Sequence, residues 1–214
     1  MFKNREQAGI LLSRLLARYE NGNAAVLAVP RGGVPVGYSV AKALQLPLDV
    51  VIPRKLPIPE EPEAGFGAVT ADGTIVLNDD LVAQLGLPSK TIDAIVNEVL
   101  REIRRREDVY RTAAPRVNLA GRVVILTDDG LATGYTMVAA IRSIRRQSPK
   151  RLVVAVPCAP SRSIDLITPM VDELRCVAQS DEPIFAVASF YEDFKDLTDE
   201  EVIHYIERAR AFGS

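Results

Sequence analysis

Five short, continuously apolar runs constrain the fold of this chain more than any other feature. They cover residues 24–29, 48–52, 123–127, 152–156 and 174–178. Runs of this length without polar alternation are typical of strands that are buried on both faces. Helical periodicity flanks the runs, over residues 4–20, 35–44, 135–147, 161–167 and 199–211. This alternation predicts an α/β fold with a mostly parallel, doubly wound sheet.

The region between the second and third runs departs from this alternation. Residues 56–64 contain three prolines and three glutamates and are predicted to form a loop. A hairpin is predicted around the Ala-Asp-Gly turn at 71–73, because this turn separates two short apolar stretches. Two helices are expected to follow, a short one over 79–85 and a long one from its predicted cap, Ser89, to about Arg111.

Length and composition agree with a single globular domain. The chain has 214 residues, of which 48% are hydrophobic and 25% are charged, as in ordinary globular proteins. The proline-rich stretch is too short to separate two domains. We therefore expect one domain over residues 1–214, with a lid or insertion at 56–116 and a C-terminal hood or tail at 179–214.

Charge, hydropathy and cysteine content exclude several classes of protein. The net charge of −2 gives no reason to expect nonspecific binding to nucleic acids or anionic membranes. The N-terminal segment lacks the features of a signal peptide, and no apolar run approaches the roughly 18 residues of a membrane helix. A cytoplasmic location is therefore expected. Cys158 and Cys176 lie in apolar runs, which favours buried free thiols over a disulfide framework or a zinc site.

Three loops are expected to lie at the edge of the sheet where ligands bind. In parallel α/β sheets, the ligand lies beyond the carboxyl ends of the strands. The segments 30–34, 53–55 and 128–136 each follow a predicted strand directly. Any ligand site is therefore expected to be built from these three segments.

The most informative segment is VVILTDDGLATGYT, residues 123–136. Small residues after the strand allow the backbone to curl, so that the amides of 132–136 point into one concavity at a helix N-terminus. Such a concavity is a ready phosphate site, and Thr133 and Thr136 add hydroxyl donors. The adjacent carboxylates of Asp128 and Asp129 would bind either the hydroxyl groups of a sugar or a hydrated magnesium ion. The alternative is an ordinary surface turn.

This segment resembles the phosphoribosyl-pyrophosphate (PRPP) motif of the type I phosphoribosyltransferases. In that motif an apolar strand precedes two acids and a turn rich in threonine and glycine. The resemblance implies that Asp128 and Asp129 are catalytic and contact the ribose hydroxyls. It further implies a 5′-phosphate loop formed by Ala132, Thr133, Gly134, Tyr135 and Thr136. The sequence departs from the family pattern at Thr127, Gly130 and Tyr135.

The two remaining loops carry basic residues. By the same resemblance, Arg31, Gly32 and Gly33 form a pyrophosphate loop, in which glycine permits close approach of an anion and arginine supplies a fork of donors. Arg54 and Lys55 resemble the basic pair that contacts pyrophosphate in adenine-type members. The alternatives are an ordinary turn at 31–33 and a solvated basic pair at Arg54 and Lys55.

Magnesium is the cofactor that the resemblance implies. Asp128 and Asp129 would reach it indirectly, through PRPP or through water. The proline-rich stretch and the hairpin after it occupy the position of the family's flexible catalytic loop. Glu63, Phe66 and the tip formed by Asp72 and Gly73 lie there, and the sequence does not single out one of them.

Other chemistry-bearing residues are predicted to have structural roles. The charged run from Glu98 to Asp108 is typical of a solvated helix face, and a phosphate-facing role for Arg105, Arg106 or Arg111 is the alternative. His204 is expected at the surface or in packing. An aromatic cluster near the C-terminus is expected to pack in the core, with stacking on a base as the alternative. It consists of Phe185, Phe190, Tyr191 and Phe194.

The resemblance extends over nearly the whole chain and is strongest to predicted bacterial phosphoribosyltransferases with unassigned substrates. It implies transfer of the 5-phosphoribosyl group from PRPP to a nitrogen of a base, with Mg²⁺ and release of pyrophosphate. The alternative is a non-catalytic PRPP or nucleotide sensor on the same fold. A dinucleotide oxidoreductase is disfavoured because residues 32–37 do not match G-x-G-x-x-G. The expected partners are PRPP and a small acceptor, and a homodimer is compatible with the family.

Overall fold

The five apolar runs form one parallel sheet in the computed structural model, which describes residues 1–212. Numbered in chain order, its strands are β1 (Ala24–Ala28), β2 (Leu48–Val50), β6 (Val123–Thr127), β7 (Arg151–Pro160) and β8 (Glu173–Ser180). They lie in the order β2-β1-β6-β7-β8. The chain therefore leaves β1 toward β2 on one side and later returns to β6 on the other. Such a reversal of strand order opens a crevice at the carboxyl edge.

Helices cover both faces of this sheet, which confirms the predicted fold class. They are α1 (Arg5–Leu15), α2 (Gly33–Leu44), α5 (Tyr135–Arg145), α6 (Ser161–Ile167) and α7 (Asp199–Ala209). Alternate strand residues point to opposite layers. Val26 and Ile125 belong to the core that contains residues of α1, α2 and α7. Leu27 and Leu126 belong to the core that contains residues of α5.

Side chains cap α1 and α7, whereas the cap predicted at Ser89 is wrong. The Asn4 side chain accepts a hydrogen bond from the Gln7 amide at 2.9 Å at the start of α1, and Thr198 forms a capping box with Glu201 at the start of α7. Ser89 does not cap the long helix. The N-cap is Pro88, whose fixed extended backbone can precede a helix without a side-chain hydrogen bond.

A second, antiparallel sheet replaces the loop that was predicted over 56–64. Its strands are β3 (Arg54–Ile58), β4 (Glu61–Val69) and β5 (Ile75–Leu77), in the order β3-β4-β5. The loop prediction is wrong because proline is tolerated on an edge strand or at a bulge. Pro57 occupies such a site, since the register of β3 shifts on both sides of it. The predicted hairpin turn at 71–73 is present, with Gly73 at a φ of +79°.

The second sheet packs against two helices, α5 and the long helix that follows the sheet in the chain. Helix α3 covers Asp79–Leu85 and helix α4 covers Ser89–Arg111, as predicted. Leu56 and Phe66 are fully buried in the core that includes Ile103 of α4, while Ala68 and Val76 pack in the core with α5. No helix within residues 1–212 combines the length and the hydropathy needed to cross a bilayer.

Candidate functional site

The three predicted loops meet at the carboxyl edge of the parallel sheet, next to the crevice between β1 and β6. They enclose a cleft of about 280 Å³. Its lining consists of Val29, Pro30, Pro53, Arg54, Lys55, Asp128 and Thr136. Residues that are about a hundred positions apart in the sequence therefore share one small space, as the strand-end rule predicts.

The glycines of the first loop allow it to approach the two acids closely. A Cβ atom on Gly32 would collide with the Asp129 carboxylate, and a Cβ atom on Gly33 would lie 2.8 Å from the Asp128 Cα. No larger residue fits without displacing the acids. The structure therefore adds a packing requirement to the anion-binding role that the sequence suggests for these glycines.

The two adjacent acids have different surroundings. Asp128 lines the cleft, and its Oδ1 accepts a hydrogen bond from the Asp129 amide at 2.8 Å. Asp129 instead forms an ion pair with Arg5, whose Nε lies 2.8 Å from Oδ2. Burial and the charge of Asp129 raise the pKa of Asp128 well above its ordinary value. Burial also raises the pKa of Asp129, although Arg5 opposes this shift.

Arg5 is a site residue that the sequence does not reveal. It is 124 positions from Asp129, and the sequence around it indicates only the start of a capped helix. Its Nη1 donates to the Lys195 carbonyl at 2.7 Å, and its guanidinium lies 3.9 Å from the centre of the Phe194 ring. The N-terminal helix and the C-terminal segment thus hold Arg5 against Asp129 together.

The C-terminal segment also braces the backbone of the acids. The Tyr191 hydroxyl donates to the Asp129 carbonyl at 2.6 Å. A Cβ atom on Gly130 would lie 2.7 Å from Val187 and 2.8 Å from the Cys158 sulfur, so the branched residue usual in the family would not fit here. Burial raises the pKa of Cys158 to about 12, which keeps its thiol protonated and consistent with packing. Cys158 is buried and Cys176 half-buried, and both are free thiols.

The predicted 5′-phosphate loop leads into the N-terminus of α5. Gly134 adopts a φ of +85° at the N-cap, a conformation that favours glycine. The loop is anchored to β7 and α6, because the Leu131 amide donates to Cys158 at 2.9 Å and the Ser163 hydroxyl donates to the Ala132 carbonyl at 2.5 Å. Ala132 and Thr133 are exposed and Tyr135 is half-buried. Of the five predicted loop residues, Thr136 lines the cleft.

Of the basic residues considered from the sequence, Arg54 and Lys55 line the cleft, whereas Arg31 and Arg106 do not. Burial lowers the pKa of Arg54, and the nearby charges of Arg106 and Arg31 lower it further. Arg106 is buried and its Nε donates to Glu102 at 2.8 Å, so this part of the charged run is not a solvated face. A cluster of like charges at a cleft favours an anionic ligand.

The other two arginines considered from the sequence lie elsewhere. Arg105 is exposed and forms ion pairs with Glu102 and Asp199. Arg111 forms an ion pair with Asp49 at 2.6 Å, in a separate polar cavity. None of Arg105, Arg106 and Arg111 lines the cleft. Of the three, only Arg106 contributes to the lowered pKa of Arg54.

The remaining candidates from the lid region are not found at the cleft. Phe66 is fully buried. Asp72 accepts hydrogen bonds from Thr70 and Thr74 in a separate cavity beside α5, so the tip formed by Asp72 and Gly73 rests on the body of the protein. The side chain of Glu63 lies outside the described part of the structure.

The C-terminal aromatics pack with one another, as expected. The Phe185 and Phe190 rings are 5.2 Å apart and the Tyr191 and Phe194 rings are 5.1 Å apart. His204 is exposed on α7 and lines a different cavity. Neither group lines the cleft.

Asp128 and Asp129 alone provide few ligands for a metal ion. Within residues 1–212 there is no group of three or more His, Cys, Asp or Glu side chains that could hold one. Asp129 is already paired with Arg5, which leaves Asp128 as the carboxylate at the cleft. Magnesium commonly keeps several waters and takes its remaining ligands from substrate phosphates, so these residues fit an ion that arrives with an anionic substrate.

Comparison with known proteins identifies the family. The model of the phosphoribosyl transferase domain matches residues 69–194, which is more than half of the chain. The chain belongs to the phosphoribosyl transferase domain family. The match includes both acids and the whole predicted 5′-phosphate loop, whereas Arg31, Arg54 and Lys55 precede it.

Several relatives extend this family assignment along the chain. The crystal structure of TT1426 from Thermus thermophilus has a TM-score of 0.80 and 34% identity, and the alignment covers 97% of this chain and 98% of that one. A Mycobacterium tuberculosis H37Rv protein provisionally named a phosphoribosyl transferase is 40% identical over 98% of this chain and 47% of its own length. The chain thus spans about half the length of the curated relatives it matches.

A more distant phosphoribosyltransferase supports the fold. The purine phosphoribosyltransferase of Pyrococcus horikoshii has a TM-score of 0.50 and 15% identity, with 91% of this chain and 92% of that chain covered. At this identity the similarity concerns the fold alone.

Proposed function

We propose that the chain transfers the 5-phosphoribosyl group of PRPP to a nitrogen of a base, with Mg²⁺, and releases pyrophosphate. The observation that carries this proposal is the cleft at the sheet edge, where Pro30, Arg54, Asp128 and Thr136 share one space. Basic residues, a carboxylate and a helix N-terminus together suit a phosphorylated sugar. Membership of the phosphoribosyl transferase domain family supports the same reaction class.

Each loop has a distinct proposed role. The loop at 132–136 binds the 5′-phosphate through backbone amides and the Thr136 hydroxyl. Asp128 accepts hydrogen bonds from ribose hydroxyls, while Asp129, held by Arg5, keeps the loop at 32–33 in place. The loop with Arg31, Gly32 and Gly33, together with Arg54 and Lys55, binds the pyrophosphate group.

The reaction forms one bond, breaks another and transfers one proton. The lone pair of the acceptor nitrogen forms a bond to ribose C1, and the C1–O bond breaks with its electron pair going to pyrophosphate. The proton of the attacking nitrogen passes to pyrophosphate or to water. Mg²⁺ bound together with PRPP would neutralise charge on the pyrophosphate, and the protein contributes position and fixed charge. Arg31 and Arg54 would stabilise the negative charge that grows on the leaving group.

The test is release of pyrophosphate from PRPP in the presence of Mg²⁺, measured against a panel of bases. We expect release that depends on one base, together with PRPP binding measured by calorimetry. The matched variants are Thr136→Val, which removes the hydroxyl at the cleft, and Thr112→Val, which makes the same change at an exposed site near Arg111. Binding of PRPP without turnover for any base would favour a sensor, and no binding of PRPP would refute the proposal.

A further inference from the structure

We infer that Tyr191 is a positioning residue for the sugar site. Its hydroxyl acts through the backbone of Asp129 to orient the Asp128 carboxylate, and the protein thereby favours ribose over a sugar that lacks a hydroxyl group. The inference rests on the proposed function, in which Asp128 accepts hydrogen bonds from ribose hydroxyls. Tyr191 does not line the cleft, so it acts on the substrate only through the acids.

Two short hydrogen bonds connect Tyr191 with Asp128. The Tyr191 hydroxyl donates to the Asp129 carbonyl at 2.6 Å, and the Asp129 amide donates to Asp128 Oδ1 at 2.8 Å. Both contacts are made by main-chain atoms of Asp129, so a shift of its backbone also moves the amide that holds the Asp128 carboxylate. A carboxylate that is held at one point keeps acceptor capacity for the hydroxyl groups of a ligand.

The Asp129 carbonyl depends on Tyr191 for its strong hydrogen bond. The Cys158 thiol also approaches this carbonyl, at 3.8 Å, but a thiol is a weak donor. Arg5 pairs with the carboxylate of Asp129 at 2.8 Å and so fixes its side chain instead of its carbonyl. Removal of the Tyr191 hydroxyl therefore loosens the main chain of Asp129 while the ion pair with Arg5 remains.

Tyr191 is itself held rigidly. It is 6% exposed, and its ring lies 5.3 Å from the Phe2 ring and 5.1 Å from the Phe194 ring. On either side of it, the Phe2 amide donates to the Phe190 carbonyl at 2.6 Å and the Glu192 amide donates to the Phe2 carbonyl at 2.8 Å. Burial raises the pKa of Tyr191 above its ordinary value, so the hydroxyl stays protonated and remains a donor.

The test compares Tyr191→Phe, which removes the hydroxyl and keeps the packed ring, with the matched control Tyr19→Phe. The Tyr19 hydroxyl donates to Glu173 at 2.6 Å, at the start of β8 and therefore at the opposite edge of the sheet. Because its acceptor is a carboxylate, the control is expected to lose at least as much free energy of unfolding in urea. The loss of one neutral hydrogen bond is small against the stability of a domain, so Tyr191→Phe is expected to remain folded.

The probes are ribose 5-phosphate and 2-deoxyribose 5-phosphate, titrated by calorimetry or ligand-observed NMR. We expect the native protein and Tyr19→Phe to bind the ribose compound more tightly, by up to about tenfold. Tyr191→Phe is expected to reduce this preference about threefold, because its Asp128 carboxylate is less well oriented. In an Asp128→Asn background, Tyr191→Phe is expected to have no further effect on the preference, since both changes act through the same group.

The ratio of the two affinities distinguishes positioning from general loosening. The same ratio in Tyr191→Phe and in the native protein overturns the inference, as does an equal loss of affinity for both sugar phosphates. A native protein that binds PRPP without distinguishing the two sugars also overturns it. In these cases the proposed function stands if pyrophosphate is released from PRPP, whereas a protein that binds neither PRPP nor the sugar phosphates overturns the proposed function as well.

Discussion

Replacement of Arg5 by methionine is the most informative perturbation of the site. The change keeps an unbranched apolar stem but removes the guanidinium that pairs with Asp129 at 2.8 Å. The two side chains are 10% and 15% exposed, so water cannot readily replace the lost partner. Arg14→Met is the matched control, since Arg14 is exposed on the same helix.

The expected loss of stability follows from the burial of the pair. Breaking a buried ion pair by removing one partner costs about 3–5 kcal/mol, which is a large share of the roughly 5–15 kcal/mol that stabilises a domain. The exposed residue Arg14 has no such role, and its replacement is expected to change the free energy of unfolding by less than about 0.5 kcal/mol.

The loss of stability in Arg5→Met is expected to increase with pH. Burial already holds the pKa of Asp129 above its ordinary value in the folded protein, with Arg5 opposing the shift. Removal of Arg5 raises this pKa further, so the variant folds best with Asp129 protonated. The loss of stability relative to the native protein therefore grows as the pH rises through the pKa of Asp129 in the folded state. It disappears in acid, where Asp129 is protonated in both proteins.

The assay is urea unfolding of the native protein, Arg5→Met and Arg14→Met at about pH 5 and about pH 8, with PRPP affinity measured by calorimetry on the folded proteins. We expect Arg5→Met to lose more free energy of unfolding at the higher pH than at the lower pH. Its PRPP affinity is expected to fall, because Asp129 no longer holds the loop at 32–33. A deficit that is equal at both pH values, with unchanged PRPP affinity, would refute the reasoning.

Three further predictions concern the cleft. Asp128→Asn replaces a carboxyl oxygen by an amide NH₂ group and is expected to weaken PRPP binding up to about tenfold, since one ordinary hydrogen bond contributes roughly 0.5–1.5 kcal/mol. Asp108→Asn at an exposed site is expected to leave PRPP binding unchanged, and equal calorimetric affinities of the two variants would contradict the ribose role. Gly32→Ala places a methyl group against Asp129 and is expected to lower the free energy of unfolding by about 1–3 kcal/mol; an unchanged urea midpoint would contradict this packing. Arg31→Ala is expected to raise the activation free energy of turnover by about 2–4 kcal/mol and to weaken PRPP binding by less. Unchanged turnover in steady-state kinetics would mean that Arg31 only anchors the ligand.

The sequence predicts the parallel sheet and the three loops at its edge because these features depend on local patterns. A continuously apolar run indicates a buried strand wherever it occurs, and the loop that follows it must lie at the carboxyl edge. The segment 123–136 is informative for the same reason, since strand, acids and phosphate loop are contiguous. The cleft then brings Arg54, Asp128 and Thr136 together as expected.

The same local reasoning fails over residues 56–64. Three prolines favour a loop in isolation, yet two strands form there, because β3 is an edge strand and the register shifts at Pro57. Whether a proline-containing segment joins a sheet depends on which of its amides would face a partner strand. Only the tertiary structure settles that arrangement.

Only the tertiary structure shows that the two neighbouring acids have different surroundings. The sequence makes Asp128 and Asp129 equivalent, whereas Arg5 approaches Asp129 across 124 positions and leaves Asp128 at the cleft. A groove of about 750 Å³ likewise exists only where the β3–β4 hairpin packs beside α4. Local propensity fixes strands, helices and turns, but pairings between distant charges and the spaces between elements depend on packing, which no single segment specifies.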